Sequence, residues 1–272
     1  QHITVALTGD GGDEVFGGYQ RYLSGPEMWR KIGWLPRPMR YALANMMTGK
    51  SGNIVAKLTP GYAEKHDRLA KLSKALREDD FESFYLSLIS QWKDPFDLIK
   101  EANETSIPLD RPDFEPVGLD KTEKMIFKDS IHYLPNDILT KIDRASMAAS
   151  LEVRSPLLDY RLYEYLWSLP LRYKIKNGKG KYLIRQLLKE YLPLELYERP
   201  KQGFSVPIQQ WLRGPLKDWA RDLISEIDEP HLDREMVQET WESFLNGDDT
   251  LFGQIWCILM YKSWYNKWMI KK

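Results

Sequence analysis

Residues 4–22 read TVALTGDGGDEVFGGYQRY, and the fold class turns on how this stretch is parsed. Residues 3–8 are apolar and β-branched, the pattern of a buried strand. The glycines of GDGG end that strand, and Asp13 is placed to cap a helix reaching about Tyr22. Strand, glycine turn and helix are the layout of a phosphate-binding loop. Yet this loop carries Asp10, Asp13 and Glu14 and no lysine.

The spacing matches none of the common loops. A GxxxxGKS/T loop needs a lysine after its last glycine. The dinucleotide fingerprint GxGxxG finds Gly9 and Gly11, but Glu14 stands in the third glycine's place. An EF-hand needs acids at alternate positions, and Asp10 and Asp13 are three apart. Two readings stay open. In one, backbone N–H groups approach an anion, and Asp10 or Asp13 holds Mg²⁺ against a di- or triphosphate, since Mg²⁺ takes one or two carboxylates plus phosphate oxygens. In the other, the stretch is a tight surface turn whose acids favour the positive end of the helix.

Beyond Tyr22 strand signals nearly vanish. RPMRYALANMM, GYAEKHDRLAKLSKAL and DDFESFYLSLISQW read as helices, and Thr105 to Asp120 as a proline-rich loop. Asp120 and Glu123 have capping-box spacing ahead of KTEKMIFKDSIHYL. PNDILTKIDRASMAAS reads as a separate helix, on which Ser146, Ala148 and Ala149 beside Asp143 and Arg144 allow close packing, the expectation here, or a lining for a small-molecule passage. LEVRSPLLD is extended, because Ser155 precedes a proline. Glu152 and Arg154 then face one side, where they form a structural ion pair or contact a ligand, the ion pair being the expectation. The remainder is helical up to a long tryptophan-rich final helix, where Trp256, Trp264 and Trp268 read as core or domain-contact anchors.

A lone strand cannot pair its backbone groups, and a strand–loop–helix unit belongs to a parallel α/β sheet. The other strands are therefore expected before residue 1, with this chain the C-terminal piece of a longer protein. Residues 1–25 read as a strand–loop–helix remnant of a nucleotide-binding core and 26–272 as a helical remainder.

Composition narrows the classes. The 39 Lys and Arg balance 39 Asp and Glu, so no global attraction to nucleic acid or anionic membrane is expected. The longest apolar run is roughly seven residues, far short of the ~20 of a membrane-spanning helix. Cys257 has no cysteine to pair with, which fits a cytoplasmic location, and its setting IWCILMY is that of a buried thiol. His2, His66, His132 and His231 lack metal-ligand spacing.

Three motifs occur in order: LTGDGGDEVFGGYQRY, DRASMAASLEVRSPLLD and ERPKQGFSVPIQQWL. Together they resemble the synthetase domain of glutamine-dependent asparagine synthetases, to which β-lactam synthetases are related. The likeness runs from about Leu7 to Arg213. It implies a mostly α chain, the helical C-terminal portion of an α/β ATP-pyrophosphatase-type (adenine nucleotide α-hydrolase-like) domain with one or two strands retained. It implies ATP, Mg²⁺ and an AMP-forming ligase. Aspartate is activated as an aspartyl-adenylate, and ammonia from glutamine displaces AMP to give asparagine. It also implies a glutaminase domain and an SGGxDS pyrophosphate loop, neither of which lies in these residues.

Residue by residue, the resemblance makes Asp13 a Mg²⁺ ligand. Asp10 stands where many members have glutamate, near the acceptor carboxylate and the incoming ammonia. Lys201 faces the reacting phosphates and Lys181 the pyrophosphate, while Thr8, Gly9, Gly11 and Gly12 line the nucleotide turn. Two rival readings remain: a synthetase adenylating another carboxylate such as a β-lactam precursor, or a non-catalytic helical interaction module. The piece alone is expected to be inactive, lacking half its nucleotide site. Its uncovered apolar surface favours self-association, a homodimer included.

Overall fold

The computed structural model describes residues 3–48, 72–92, 97–101, 116–198 and 206–270. Two strands occur there, β1 (Val5–Leu7) and β2 (Glu152–Arg154). The helices begin with α1 (Gly12–Phe16), α2 (Gln20–Ile32), α3 (Arg37–Thr48), α4 (Phe81–Ile89), α5 (Lys121–Lys128) and α6 (Thr140–Met147). They continue with α7 (Tyr160–Ser168), α8 (Tyr182–Tyr191), α9 (Leu194–Tyr197), α10 (Ile208–Arg213), α11 (Lys217–Ser225), α12 (Arg234–Leu245) and α13 (Phe252–Tyr265). None among the described residues is long and apolar enough to cross a membrane.

The strands pair in parallel, with Val5 opposite Glu152, Ala6 opposite Val153 and Leu7 opposite Arg154. The extended segment before Pro156 is thus a partner of β1. This corrects the expectation that every partner of β1 precedes residue 1. The ladder continues from Glu152 N–H to the Thr4 carbonyl (2.8 Å) and from Thr8 N–H to the Arg154 carbonyl (2.9 Å). β1 is not buried among the described residues: Val5 is 42% and Leu7 72% exposed. Parallel strands acquire burial from layers on both faces, and a two-stranded ribbon leaves room that no described layer fills.

The helix expected from Asp13 to Tyr22 is split. Gly11 (φ 81°), not Asp13, is the N-cap of α1, and Gly17 (φ 67°) ends it. Both glycines adopt the left-handed conformation that side chains disfavour, so the chain turns between α1 and α2.

The reverse happens further on, where two expected helices form one. α5 opens with the expected capping box: Glu123 N–H donates to Asp120 Oδ1 at 2.9 Å and Asp120 N–H to Glu123 Oε2 at 3.0 Å. It runs on through a π-helical stretch, Asp129–Leu139, into α6. Pro135 sits inside that stretch, where the wider turn tolerates its missing N–H, and the Thr140 hydroxyl donates to the Pro135 carbonyl at 2.9 Å. No residue of α6 is buried, so the close packing expected for its small side chains is absent among the described residues.

Two compact units divide the chain: residues 1–43, 75–85 and 105–200, and residues 44–74, 86–104 and 201–272. In the first, Val15, Phe16 and Leu166 are buried against Leu157, Leu158 and Ile184. In the second, α10 to α13 bury Leu212, Ile224, Val237, Phe244, Ile255 and Leu259 in one apolar cluster. Each such side chain contributes about 1.5–3 kcal/mol by leaving water. On α13 the inward positions are Ile255, Ile258, Leu259 and Lys262. Trp256 packs against the cluster, whereas Trp264 (51%) and Trp268 (64%) are exposed and are not core anchors. Cys257 is exposed as well, contrary to its expected burial. The helix is apolar nearly all round, so its sequence carries no stripe that marks the inner face.

Candidate functional site

The site lies in the first unit, where β1 runs into the turn Thr8–Gly11 and then α1. The Thr8 and Ser155 hydroxyls are 3.2 Å apart, so the ends of the two parallel strands are tied side chain to side chain. The glycines of the turn differ in kind. A Cβ at Gly11 would lie 2.1 Å from Leu158 Cδ2, and one at Gly12 2.9 Å from Leu157 Cδ1. These two glycines let the SPLLD segment seat its leucines against the turn. Gly9 instead borders open space, with nothing within 4 Å of a would-be Cβ.

A second pair of glycines brings in a cation from far along the chain. A Cβ at Gly180 would lie 2.1 Å from the Gly17 carbonyl oxygen, and one at Gly18 2.4 Å from Lys181 Cε. Only backbone this bare lets the GKGK segment press on the turn between α1 and α2. Lys181 is the N-cap of α8 in a left-handed conformation (φ 58°), and its N–H donates to the Phe16 carbonyl at 2.9 Å. A lysine held there is strained, a state that persists where the surroundings over-determine it. Its Nζ lies 3.2 Å from Asp13 Oδ2, with both side chains about one-third exposed. Asp10, part-exposed, sits on the same turn. Thr8, Gly9, Asp10, Gly11, Gly12, Asp13 and Lys181 therefore converge, while Lys201 lies outside the described residues. On β2, Arg154 Nε meets Glu152 Oε1 at 2.8 Å, the expected ion pair.

Beneath the turn lies a buried polar network that sequence reading missed. Glu14 is 1% exposed and accepts the Tyr19 hydroxyl at 2.7 Å. Burial pushes its carboxyl above the usual range, against the Tyr19 hydrogen bond, and the charges of Asp13 and Asp129 add to the rise. Asp129 is fully buried. Its Oδ2 accepts Arg21 Nε at 2.9 Å and the Tyr22 hydroxyl at 2.5 Å, and its Oδ1 accepts the Tyr85 hydroxyl at 2.5 Å. The one signal in the sequence was the glycine pair of FGGY, which folds Tyr19 back over α1.

The donor chemistry suits a hard cation shared with a ligand. Among the described residues no three His, Cys, Asp or Glu side chains cluster as a metal cage. Mg²⁺ needs no such cage: it takes one or two carboxylates and completes its shell with water and phosphate oxygens. Asp13 and Asp10 are carboxylates of that kind beside the open face of Gly9. A separate hollow of about 600 Å³, lined by Arg30, Phe81, Glu82 and Lys121 among others, includes no residue of the turn.

A family model described as asparagine synthase matches residues 1–266. An asparagine synthetase (glutamine-hydrolysing) 1 of Bacillus subtilis (strain 168) is 29% identical over 270 residues, covering 98% of this chain and 41% of its own length. A putative asparagine synthetase (glutamine-hydrolysing) of Mycobacterium bovis is 31% identical, covering 97% of this chain and 39% of its own length. An asparagine synthetase (glutamine-hydrolysing) of Gallus gallus is 40% identical over 96 residues, 34% of this chain and 16% of its own length. The chain thus spans well under half the length of these relatives. No solved structure matches it.

Proposed function

The chain belongs to the asparagine synthase family, and on that premise we propose that it supplies part of the active site of an ATP-dependent enzyme that amidates the side-chain carboxylate of aspartate. The observation that carries the reading is the convergence of Lys181, from the GKGK segment, on Asp13 of the first motif, with Nζ and Oδ2 3.2 Å apart.

The reaction has two displacements. A carboxylate oxygen of aspartate attacks the α-phosphorus of ATP, an aspartyl-adenylate forms, and pyrophosphate leaves. Ammonia then attacks the acyl carbon, AMP leaves with the C–O bond electrons, and the surplus proton passes to solvent. Negative charge grows on the departing pyrophosphate, so cations fixed nearby stabilise the transition state more than the ground state. Lys181 is assigned to that charge and Lys201 to the reacting phosphates. Asp13 is assigned to Mg²⁺, which when bound would supply positive charge to the pyrophosphate oxygens. Gly9 lets the backbone come close to the nucleotide, and Thr8, Gly11 and Gly12 hold the turn in shape. Asp10 is assigned to the acceptor carboxylate and the incoming ammonia.

The same reading makes residues 1–25 part of an ATP-pyrophosphatase-type core, takes ammonia from a glutaminase domain and locates the enzyme in the cytoplasm. Half the nucleotide contacts then come from outside this chain, so residues 1–272 alone are expected to be inactive. Tight Mg²⁺–ATP binding by them would contradict that.

The test is aspartate-dependent exchange of pyrophosphate into ATP by the full-length protein. Asp13→Ala and Lys201→Ala should each reduce it by about 100-fold or more, the scale of losing one preorganised charge contact. Unchanged exchange in both defeats the assignment. Asp10 is one methylene shorter than the usual glutamate, and this favours one rival: exchange driven by another carboxylic acid but not by aspartate moves the acceptor accordingly.

A further inference from the structure

We infer that Glu14 and Tyr19 form a positioning pair that sets the direction of the Asp13 carboxylate, with Arg21 and Asp129 as its anchor. The inference takes its reaction from the proposal above, but its geometry stands apart from it.

α1 has five residues and a left-handed glycine at each end. A helix this short has almost no stability of its own, so tertiary contacts must hold its rotation. Successive side chains on a helix point about 100° apart. Glu14 is turned fully inward, and that turn leaves Asp13 facing Lys181. Glu14 is therefore the pin about which Asp13 is aimed.

The pin is fastened through tyrosine. Gly17 and Gly18 bend the chain so that the Tyr19 hydroxyl reaches Glu14 Oε1 at 2.7 Å. The Tyr19 ring lies 4.1 Å from the Arg21 guanidinium, and the Tyr133 ring lies 5.1 Å from it. Arg21 reaches Asp129 Oδ2 through Nε at 2.9 Å and through a terminal nitrogen at 2.7 Å. The Tyr22 and Tyr85 hydroxyls complete the Asp129 shell, so the π-helical stretch, α2 and α4 meet at one buried carboxylate. Glu14, Tyr19, Arg21 and Asp129 act on the chemistry only through Asp13, so they are positioning residues rather than catalytic ones.

The test uses the full-length protein and four variants. Tyr19→Phe and Glu14→Ala should each lower kcat for pyrophosphate exchange about 10-fold while KM for ATP shifts less than about 2-fold, because small misplacements of a reacting group act on rate. The double variant should be no worse than either single one, since both break the same link. Glu14→Gln keeps an acceptor oxygen for the Tyr19 hydroxyl and should recover most of the loss. A purely structural role would lower the melting temperature and leave kcat per folded molecule unchanged, which overturns the proposal. So would additive losses in the double variant. Crystal structures of Tyr19→Phe and Glu14→Ala give a readout independent of the reaction: the 3.2 Å contact between Asp13 and Lys181 should be lost. Its retention in both overturns the positioning role even if exchange confirms the enzyme. Its loss in a protein without exchange leaves the geometry standing and rejects the proposed reaction.

Discussion

Two buried glutamates, one in each unit, are treated in opposite ways. Glu229, after α11, accepts the Lys262 ammonium of α13 at 2.6 Å, with both side chains essentially out of water. Glu14, in α1, accepts a neutral hydroxyl instead. Desolvation pushes both carboxyls up. At Glu229 the Lys262 hydrogen bond, backbone N–H groups and the ammonium charge outweigh it, and the carboxyl stays below its usual range. At Glu14 burial wins. The second unit closes its buried charge and uses it as a fastener. The first unit leaves Glu14 without a cation partner among the described contacts, while Lys181 pairs with Asp13 and Arg21 with the buried Asp129.

The comparison can be broken by removing each lysine in turn. Lys262→Ala strands Glu229 in the apolar cluster and should cost about 3–5 kcal/mol of stability, read by urea unfolding. Pyrophosphate exchange per folded molecule should hardly change. Lys181→Ala should do the reverse: about a 100-fold loss of exchange with under about 1 kcal/mol of stability lost, its pair being part-exposed. Equal effects of the two variants on both measurements would erase the distinction between the units.

Within the turn a smaller contrast follows. Gly11→Ala drives a Cβ against Leu158 at a left-handed φ, and about 1–3 kcal/mol should be lost in thermal unfolding. Gly9→Ala meets no protein atom, so stability should hold within about 0.5 kcal/mol while KM for ATP rises. A Gly9→Ala protein with normal KM would remove Gly9 from the nucleotide turn.

The smallest expected effect is in pH. Glu229 has a depressed folded pKa, so its stabilising contribution is present above the ordinary carboxylate value of 4.5 and fades as pH falls through the folded value. Glu14 has a raised one, so its contribution is full below 4.5 and lost as pH rises through the folded value. Comparing unfolding of Glu229→Gln and Glu14→Gln with the parent across acid pH should show slopes altered in opposite senses. Slopes altered in the same sense would refute the contrast.

Much of this was readable in the chain. The capping box at Asp120 and Glu123, the turn after β1 and most helices are local, set by residues a few positions apart. Other features were not readable, each for a physical reason. β1 and β2 pair across most of the first unit, and three-residue strands carry too little pattern to announce a partner. Pro135 looked like a helix end because the π-helical turn that absorbs it depends on neighbours. Trp264 and Trp268 looked as much like core anchors as domain-contact ones because α13 is apolar nearly all round, and only the core reading is excluded by their exposure. Asp129 looked like any polar residue of a helix, since its three donors come from α2 and α4.

The stretch TVALTGDGGDEVFGGYQRY was enough to announce a glycine turn between a strand and a helix, with acids gathered on it, because glycine spacing and charge are written in neighbouring residues. Which cation answers was a matter of packing. Lys181 reaches Asp13 only because Gly18 and Gly180 lack side chains at the point of contact, and Asp13 faces Lys181 because Glu14 is pinned inward by Tyr19. Those are relations between surfaces distant in the chain. Their free energies depend on burial and angle, quantities that come into being only when the first unit folds.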